Sequence, residues 1–179
     1  MGAQYSSDVL MIGKMLLDNK AIKTGDFILS SGKRTNFFVD VKEVSTDPAL
    51  LNQIATELSK EVRAVKIAGV ELGAVPLLVA TSLALGVPYV IIRKKHEHGT
   101  KERLIGRISK GEQIDIIEDV VSTGASILMA VNLLRDSGAI VSRAIAVVDR
   151  EEGGAQLLKS NNVELISLVR ISEIVRDNV

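Results

Sequence analysis

From Lys66 onward, short apolar runs alternate with longer segments of helical period: KIAGVE, AVPLLVATSLALG, YVIIRK, EQIDIIED, SILMAVNLLRDSG and SRAIAVVDR. Strand-length and helix-length patterns taken in turn mark repeated βαβ units, so the chain is predicted to be α/β with a doubly wound, largely parallel sheet. The apolar run Ala144 to Val148, and Ile114 to Ile117 with only Asp115 inside it, read as strands covered on both faces, because a strand with one wet face would alternate. Gly86 and Gly138 follow the two helical stretches, where a left-handed residue can close a helix.

Upstream, Val9, Leu10, Ile12, Met15, Leu16 and Leu17 recur at helical spacing, and FILSSGKRTNFFVDV has two apolar halves around the turn-rich Ser31-Gly32-Lys33. A helix and then a hairpin are predicted. Asp47 before Pro48 is a helix start, a capping side chain followed by proline at the first helical position. Leu50, Leu51, Ile54, Leu58 and Val62 then supply one apolar face, which predicts a helix over about 48–63.

Composition narrows the class. The 179 residues suit one domain, 1–179, with 46% apolar and 25% charged residues, and 22 Lys+Arg balance 22 Asp+Glu. Disorder and a purely electrostatic nucleic-acid binder are both disfavoured. With no cysteine, a disulfide framework, a thiolate nucleophile and a Cys-built zinc site are excluded. Met1 to Asp8 lacks the pattern of a signal peptide, and the apolar stretch from Val75 to Ile92 is broken by Thr81, Ser82, Gly86 and Pro88. A soluble cytoplasmic protein without membrane or nucleic-acid partners is expected.

Ligands of doubly wound sheets collect at the carboxyl ends of the strands. Polar residues stand there at Glu71, Arg93-Lys94-Lys95, Glu118-Asp119 and Asp149-Arg150. The most informative segment is IDIIEDVVSTGAS, residues 114–126, where a buried strand ends in two carboxylates and passes through a hydroxyl- and Gly-containing loop into a helix. Backbone amides of Val120, Val121, Ser122, Thr123, Gly124 and Ala125, with the hydroxyls of Ser122, Thr123 and Ser126, can surround a phosphate at the helix's positive end. The carboxylates can accept from sugar hydroxyls. Neither G-x-x-x-x-G-K-[ST] nor a G-x-G-x-x-G after a strand is present. An acidic pair alone is more often a solvated strand end with an ordinary cap at Ser126; the whole string favours the phosphate site.

Residues 114–126 resemble the ribose-phosphate signature of the type I phosphoribosyltransferases. SSGKRTNFFVD at 30–40, GVELGAVPL at 69–77, VIIRKKHEHGT at 90–100 and VVDREEGGAQ at 147–156 resemble, in order, segments of the orotate phosphoribosyltransferase family. The resemblance covers nearly the whole chain. It implies the type I phosphoribosyltransferase fold, with a small hood from about 20–45, and pentosyl transfer from 5-phosphoribosyl 1-diphosphate (PRPP) to orotate. The products would be pyrophosphate and orotidine 5′-monophosphate, on the route to UMP. It also implies a homodimer and Mg²⁺, the metal being bound through PRPP rather than by a protein cage.

On that resemblance Glu118 and Asp119 hold the ribose 2′- and 3′-hydroxyls, and Val120 to Ser126 bind the 5′-phosphate. Breaking the bond to pyrophosphate develops positive charge on the sugar and negative charge on the leaving group, so anions are needed beneath one and cations around the other. Residues 93–103, RKKHEHGTKER, hold five Lys/Arg and both histidines. They resemble the family's mobile loop, which closes over the diphosphate and is shared between subunits. Arg93, Lys94, Lys95 and His98 are its candidate site residues, with Lys94, Lys95, His98, Glu118 and Asp119 the catalytic set. The loop is one residue shorter than the usual spacing, which leaves Lys95 and His96 as alternatives for the later cationic place; no partners suggest His96 as a zinc ligand.

Orotate differs from other pyrimidines chiefly by its carboxylate. Arg150 stands where the family's Arg grips that group, and Ser122 where the family has a Thr near the base. Adjacent strand positions face opposite ways, so one of Phe37 and Phe38 is expected to touch the base, and Phe38 is carried as the candidate. Ser30 stands where many bacterial members carry Lys, and Leu72-Gly73 where they carry Tyr-Lys, so backbone amides at Glu71 to Gly73 are expected to substitute for those diphosphate contacts. Two alternatives stay open: a phosphoribosyltransferase for another base, disfavoured by the hood and Arg150, and a non-catalytic PRPP-binding regulator, disfavoured by neutral charge and a full basic loop.

Overall fold

The computed structural model describes residues 7–28, 34–94 and 103–176. Its centre is a six-stranded sheet in the order β5-β4-β3-β6-β7-β8. The strands are β3 (Lys66–Val70), β4 (Tyr89–Ile92), β5 (Leu104–Ile105), β6 (Ile114–Val121), β7 (Arg143–Asp149) and β8 (Glu164–Arg170). All neighbours are parallel except β5, which runs antiparallel to β4 at one edge. The predicted α/β class and largely parallel sheet are what the structure shows.

Alternate residues of the buried strands feed two apolar cores. Ile67, Ile117, Ile145 and Val147 face the side covered by α1 (Ser7–Asp18), α3 (Pro48–Glu61) and α4 (Ala74–Leu85). Ala68, Ile116, Ala144 and Ala146 face α5 (Ala125–Asp136) and α6 (Gly154–Ser160). This is why Ala144 to Val148 is apolar without alternation, and why Ile116 and Ile117 are both buried.

Local signals act as expected. The Asp47 carboxylate accepts from Ala49 N at 2.8 Å and Leu50 N at 3.0 Å, with Pro48 opening α3, and the helix closes at Glu61. Gly86, left-handed at φ +69°, donates to Ser82 O at 2.8 Å and ends α4. Apart from the main sheet, β1 (Ile22–Ile28) and β2 (Arg34–Val39) form an antiparallel pair, followed by the short α2 (Val41–Val44). The turn between those strands, with Ser30, lies outside the described residues. The structure adds α6, β8, α7 (Ile171–Arg176) and β5 to the elements that the sequence pattern predicts.

Topology selects the working end of the sheet. The chain leaves β3 toward β4 on one side, whereas β6 leads through α5 to β7 on the other. The direction of winding reverses between β3 and β6, which opens a crevice at their carboxyl ends. The opposite end is tied structurally: Lys66 Nζ lies 2.7 Å from Glu112 Oε2, and Asp115 accepts from Arg63 N at 2.9 Å and Ala64 N at 3.1 Å. Among the described residues no helix is long and apolar enough to cross a membrane.

Candidate active site

The crevice is lined by the turn after β3 and the end of β6. Glu118 is only 7% exposed, and Asp119 beside it is half-buried. Burial, then the hydrogen bond and negative charge of Asp119, push the Glu118 carboxyl well above its ordinary range, while the Lys94 charge pulls it back. Two carboxyl groups held this close suit a ligand that brings hydroxyl donors or positive charge.

Asp119 is seated against the turn. Its Oδ1 accepts from Val120 N at 2.9 Å, and a Cβ added to Gly73 would overlap its carboxylate. Gly73 has helical angles, φ −61° and ψ −36°, so glycine is required there for space and not for conformation.

Beyond β6 the loop turns sharply into α5. Gly124, at φ +79°, is the N-cap, and no side chain caps the helix, so the first amides of α5 are not taken by a side-chain cap. Ser126 lies inside the first helical turn and is not the cap. The loop is held from beneath by the α6 end: Gly154 N donates to Ser122 O at 3.0 Å, and Arg150 N to Val121 O at 2.8 Å. A Cβ at Gly154 would stand 2.5 Å from Val121 Cγ1 and 2.8 Å from Ser122 O. Of the predicted cradle, Val120 and Val121 end β6, with the Val120 amide taken by Asp119, Ser122, Thr123 and Gly124 form the turn, and Ala125 and Ser126 open α5, next to the acidic pair.

Cations enter from β4. Lys94 N donates to Glu71 Oε1 at 3.1 Å, and Arg93 Nε lies 3.8 Å from Glu71 Oε2. Arg93 N donates to Arg103 O at 2.8 Å, and Arg103 Nε returns to Arg93 O at 3.3 Å. The basic segment thus leaves β4 and returns as β5 on a closed stem. Lys95, His96 and His98 lie outside the described residues.

Across the crevice, Arg150 follows β7. Its Nη2 is 2.8 Å from Glu152 Oε1, and its guanidinium carbon is 5.4 Å from the Phe37 ring centroid. The structure therefore brings Phe37 to Arg150, whereas Phe38, 38% exposed, has its ring centroid 5.8 Å from that of Phe27. Ser122 is half-buried in the loop beside Arg150's backbone partner Val121.

Sequence reasoning missed Lys42, Arg103, Glu152 and Gly154. Lys42 Nζ lies 2.8 Å from Asp40 Oδ1, and its ammonium is held above its ordinary range by that hydrogen bond first, then by the charges of Asp40 and Asp119, against some burial. Nothing in D-V-K signals this, because the neighbour that gives it meaning is Asp119, far along the chain.

A profile of the phosphoribosyl transferase domain matches residues 40–169. Orotate phosphoribosyltransferase of Thermoplasma volcanium is 57% identical over 166 residues, 93% of this chain and 100% of the relative. That of Thermoplasma acidophilum is 55% identical over 167 residues, covering 93% and 94%. The crystal structure of orotate phosphoribosyltransferase from Aeropyrum pernix superposes with a TM-score of 0.84 at 31% identity, over 94% of this chain and 98% of that one. The chain belongs to the phosphoribosyl transferase family, in its orotate phosphoribosyltransferase branch.

Proposed function

We propose that this chain transfers the 5-phosphoribosyl group of PRPP to a ring nitrogen of orotate, releasing pyrophosphate and forming orotidine 5′-monophosphate. The observation that carries the reading is the placement of the Glu118–Asp119 pair and the Val120–Ser126 cradle in the crevice where the winding reverses, with Arg150 on its far side. Likeness to enzymes named for orotate over most of the chain supports the choice of base.

In this reading the 5′-phosphate takes the free amides at the start of α5, and the acidic pair accepts from the ribose hydroxyls. As the sugar–diphosphate bond lengthens, Glu118 and Asp119 face the positive charge developing on the ribose. Arg93 and Lys94, with Lys95 and His98 of the same loop, surround the diphosphate, helped by the amides of Leu72 and Gly73; the Glu71 amide, also expected to help, is instead taken by Ile92 O at 2.9 Å. Arg150 takes the orotate carboxylate, and Phe37 or Phe38 lies against the ring. The crowded carboxyls of Glu118 and Asp119 would suit the positive charge of Mg²⁺ carried in with PRPP. The chemistry such an ion would supply is neutralisation of charge on the leaving diphosphate.

The chain is read as a single domain over 1–179, with a hood from about 20–45, acting in the cytoplasm as a homodimer that shares the basic loop. Apolar surface supports the dimer: Leu83 is 79% exposed on α4, and Leu85, Tyr89 and Ile105 are exposed on α4, β4 and β5. Incubation with PRPP, Mg²⁺ and, in turn, orotate, uracil, adenine, hypoxanthine or guanine tests the reading. Consumption of orotate is expected; turnover of another base alone would discard the role of Arg150, and PRPP binding without any turnover would favour a regulator.

A further inference from the structure

The turn between β7 and α6 carries a second acidic residue whose partner is the base-reading arginine. Glu151 and Glu152 are adjacent, yet their side chains separate. Glu151 adopts φ +56°, its N–H donates to Asp149 Oδ1 at 2.8 Å, and its own carboxylate accepts from Ser172 N at 2.8 Å, away at α7. Glu152 points the other way, and its Oε1 accepts from Arg150 Nη2 at 2.8 Å. Both side chains of this pair are mostly buried, at 12% and 19% exposure.

A guanidinium is a rigid plane with five N–H donors on a long, rotamer-rich stem. Here the stem is anchored by Arg150 N on Val121 O, one edge by Glu152, and one face by the Phe37 ring. Arg150 Nε is buried and makes no hydrogen bond among the described residues. A buried guanidinium with one edge taken and other donors to spare is more than an ordinary ion pair needs. It is a fork held in one orientation for an acceptor.

We propose that Glu152 is a positioning residue for base selection: together with Phe37 it fixes the plane of Arg150 so that the remaining guanidinium donors meet the carboxylate of orotate. The inference rests on the reading of Arg150 given above and extends it to a residue that never touches the base. Selectivity for a carboxylated pyrimidine then depends on a carboxylate of the protein itself.

The experiment is steady-state kinetics in orotate and in PRPP for wild type, Glu152→Ala, Glu152→Gln, Arg150→Ala and the Arg150→Ala/Glu152→Ala double variant. Glu152→Ala is expected to raise the orotate KM about tenfold, the scale of one charge-assisted hydrogen bond, with kcat changed less than about threefold. Glu152→Gln keeps an acceptor for Nη2 and is expected near a threefold rise, a partial rescue. Retention of the PRPP KM within about twofold shows that each variant is folded around the same sugar site. In the Arg150→Ala background, removing Glu152 is expected to add little, because both residues act as one unit. If Arg150→Ala impairs orotate use while both Glu152 variants behave as wild type, the positioning role is overturned and the reading of Arg150 survives. A full Glu152→Ala effect without Arg150 would overturn the role as well. A wild-type orotate KM in Arg150→Ala would overturn the reading of Arg150 and the positioning role with it. Should Glu152→Ala not fold, the near-isosteric Glu152→Gln decides alone, and a wild-type orotate KM would count against the proposal.

Discussion

The Asp119 carboxylate lies directly over the Cα of Gly73, in the space that any side chain at residue 73 would fill. This contact joins the turn after β3 to the end of β6 across the crevice where the sheet reverses its winding. Substituting Gly73→Ala leaves the backbone unstrained, since φ and ψ are already helical, but must displace Asp119. A fall in kcat/KM of about 100-fold is expected, the scale of a misplaced catalytic group, with Tm within a few degrees of wild type. Unchanged activity in Gly73→Ala would mean that the seat of Asp119 is immaterial.

Asp119→Asn keeps the shape of the side chain and removes its charge. Turnover is expected to drop by about 10²–10³ without unfolding, because in the proposed reaction the group stabilises positive charge that develops as the ribose bond breaks. Lys94→Ala is expected to lower turnover as well. If the basic loop is shared between subunits, mixing the two inactive variants under exchange conditions should restore measurable activity in hybrid dimers, and mixtures no more active than their parts would contradict sharing.

Gly154 supports the phosphate cradle from beneath. A methyl group at this position meets Val121 Cγ1 and the Ser122 carbonyl at distances no packed side chain tolerates, so Gly154→Ala is expected to cost about 1–3 kcal/mol in denaturant unfolding. Because the same contact shapes the cradle, a higher KM for PRPP should accompany the loss of stability.

Stability of the ligand-free protein should fall as pH rises from the acid side. Burial and Asp119 raise the Glu118 carboxyl above its ordinary value, and burial, followed by the Glu151 charge, raises Asp149. The folded state therefore holds protons that the unfolded chain has released. The associated stability is complete below the unfolded pKa values, near pH 4, and is lost as pH climbs through the raised folded values. Equilibrium unfolding of wild type and Glu118→Gln across pH 4.5–8 checks this, and a flatter profile is expected for the variant.

The βαβ architecture was legible because parallel strands buried on both faces leave unbroken apolar runs, and because Asp47-Pro48 and Gly86 mark helix ends by local chemistry alone. The acidic pair and its cradle were legible for a related reason: they occupy one short segment at a strand end. Glu152, Lys42 and Gly154 were not, since each acquires its role from a residue that only the fold brings near. A two-residue strand such as β5 has no period to detect. The neighbours of Phe37 and Phe38 likewise depend on the orientation of β2, which sets Phe37 against Arg150 and Phe38 against Phe27.

The most direct test of the central assignment is to follow orotate loss by its ultraviolet absorbance alongside pyrophosphate release, in wild type and in a Glu118→Gln/Asp119→Asn variant. One pyrophosphate per orotate consumed is expected in the wild type, with both signals lost together in the variant while the fold persists. Pyrophosphate release without loss of orotate, or full orotate turnover by the doubly substituted protein, would contradict the account.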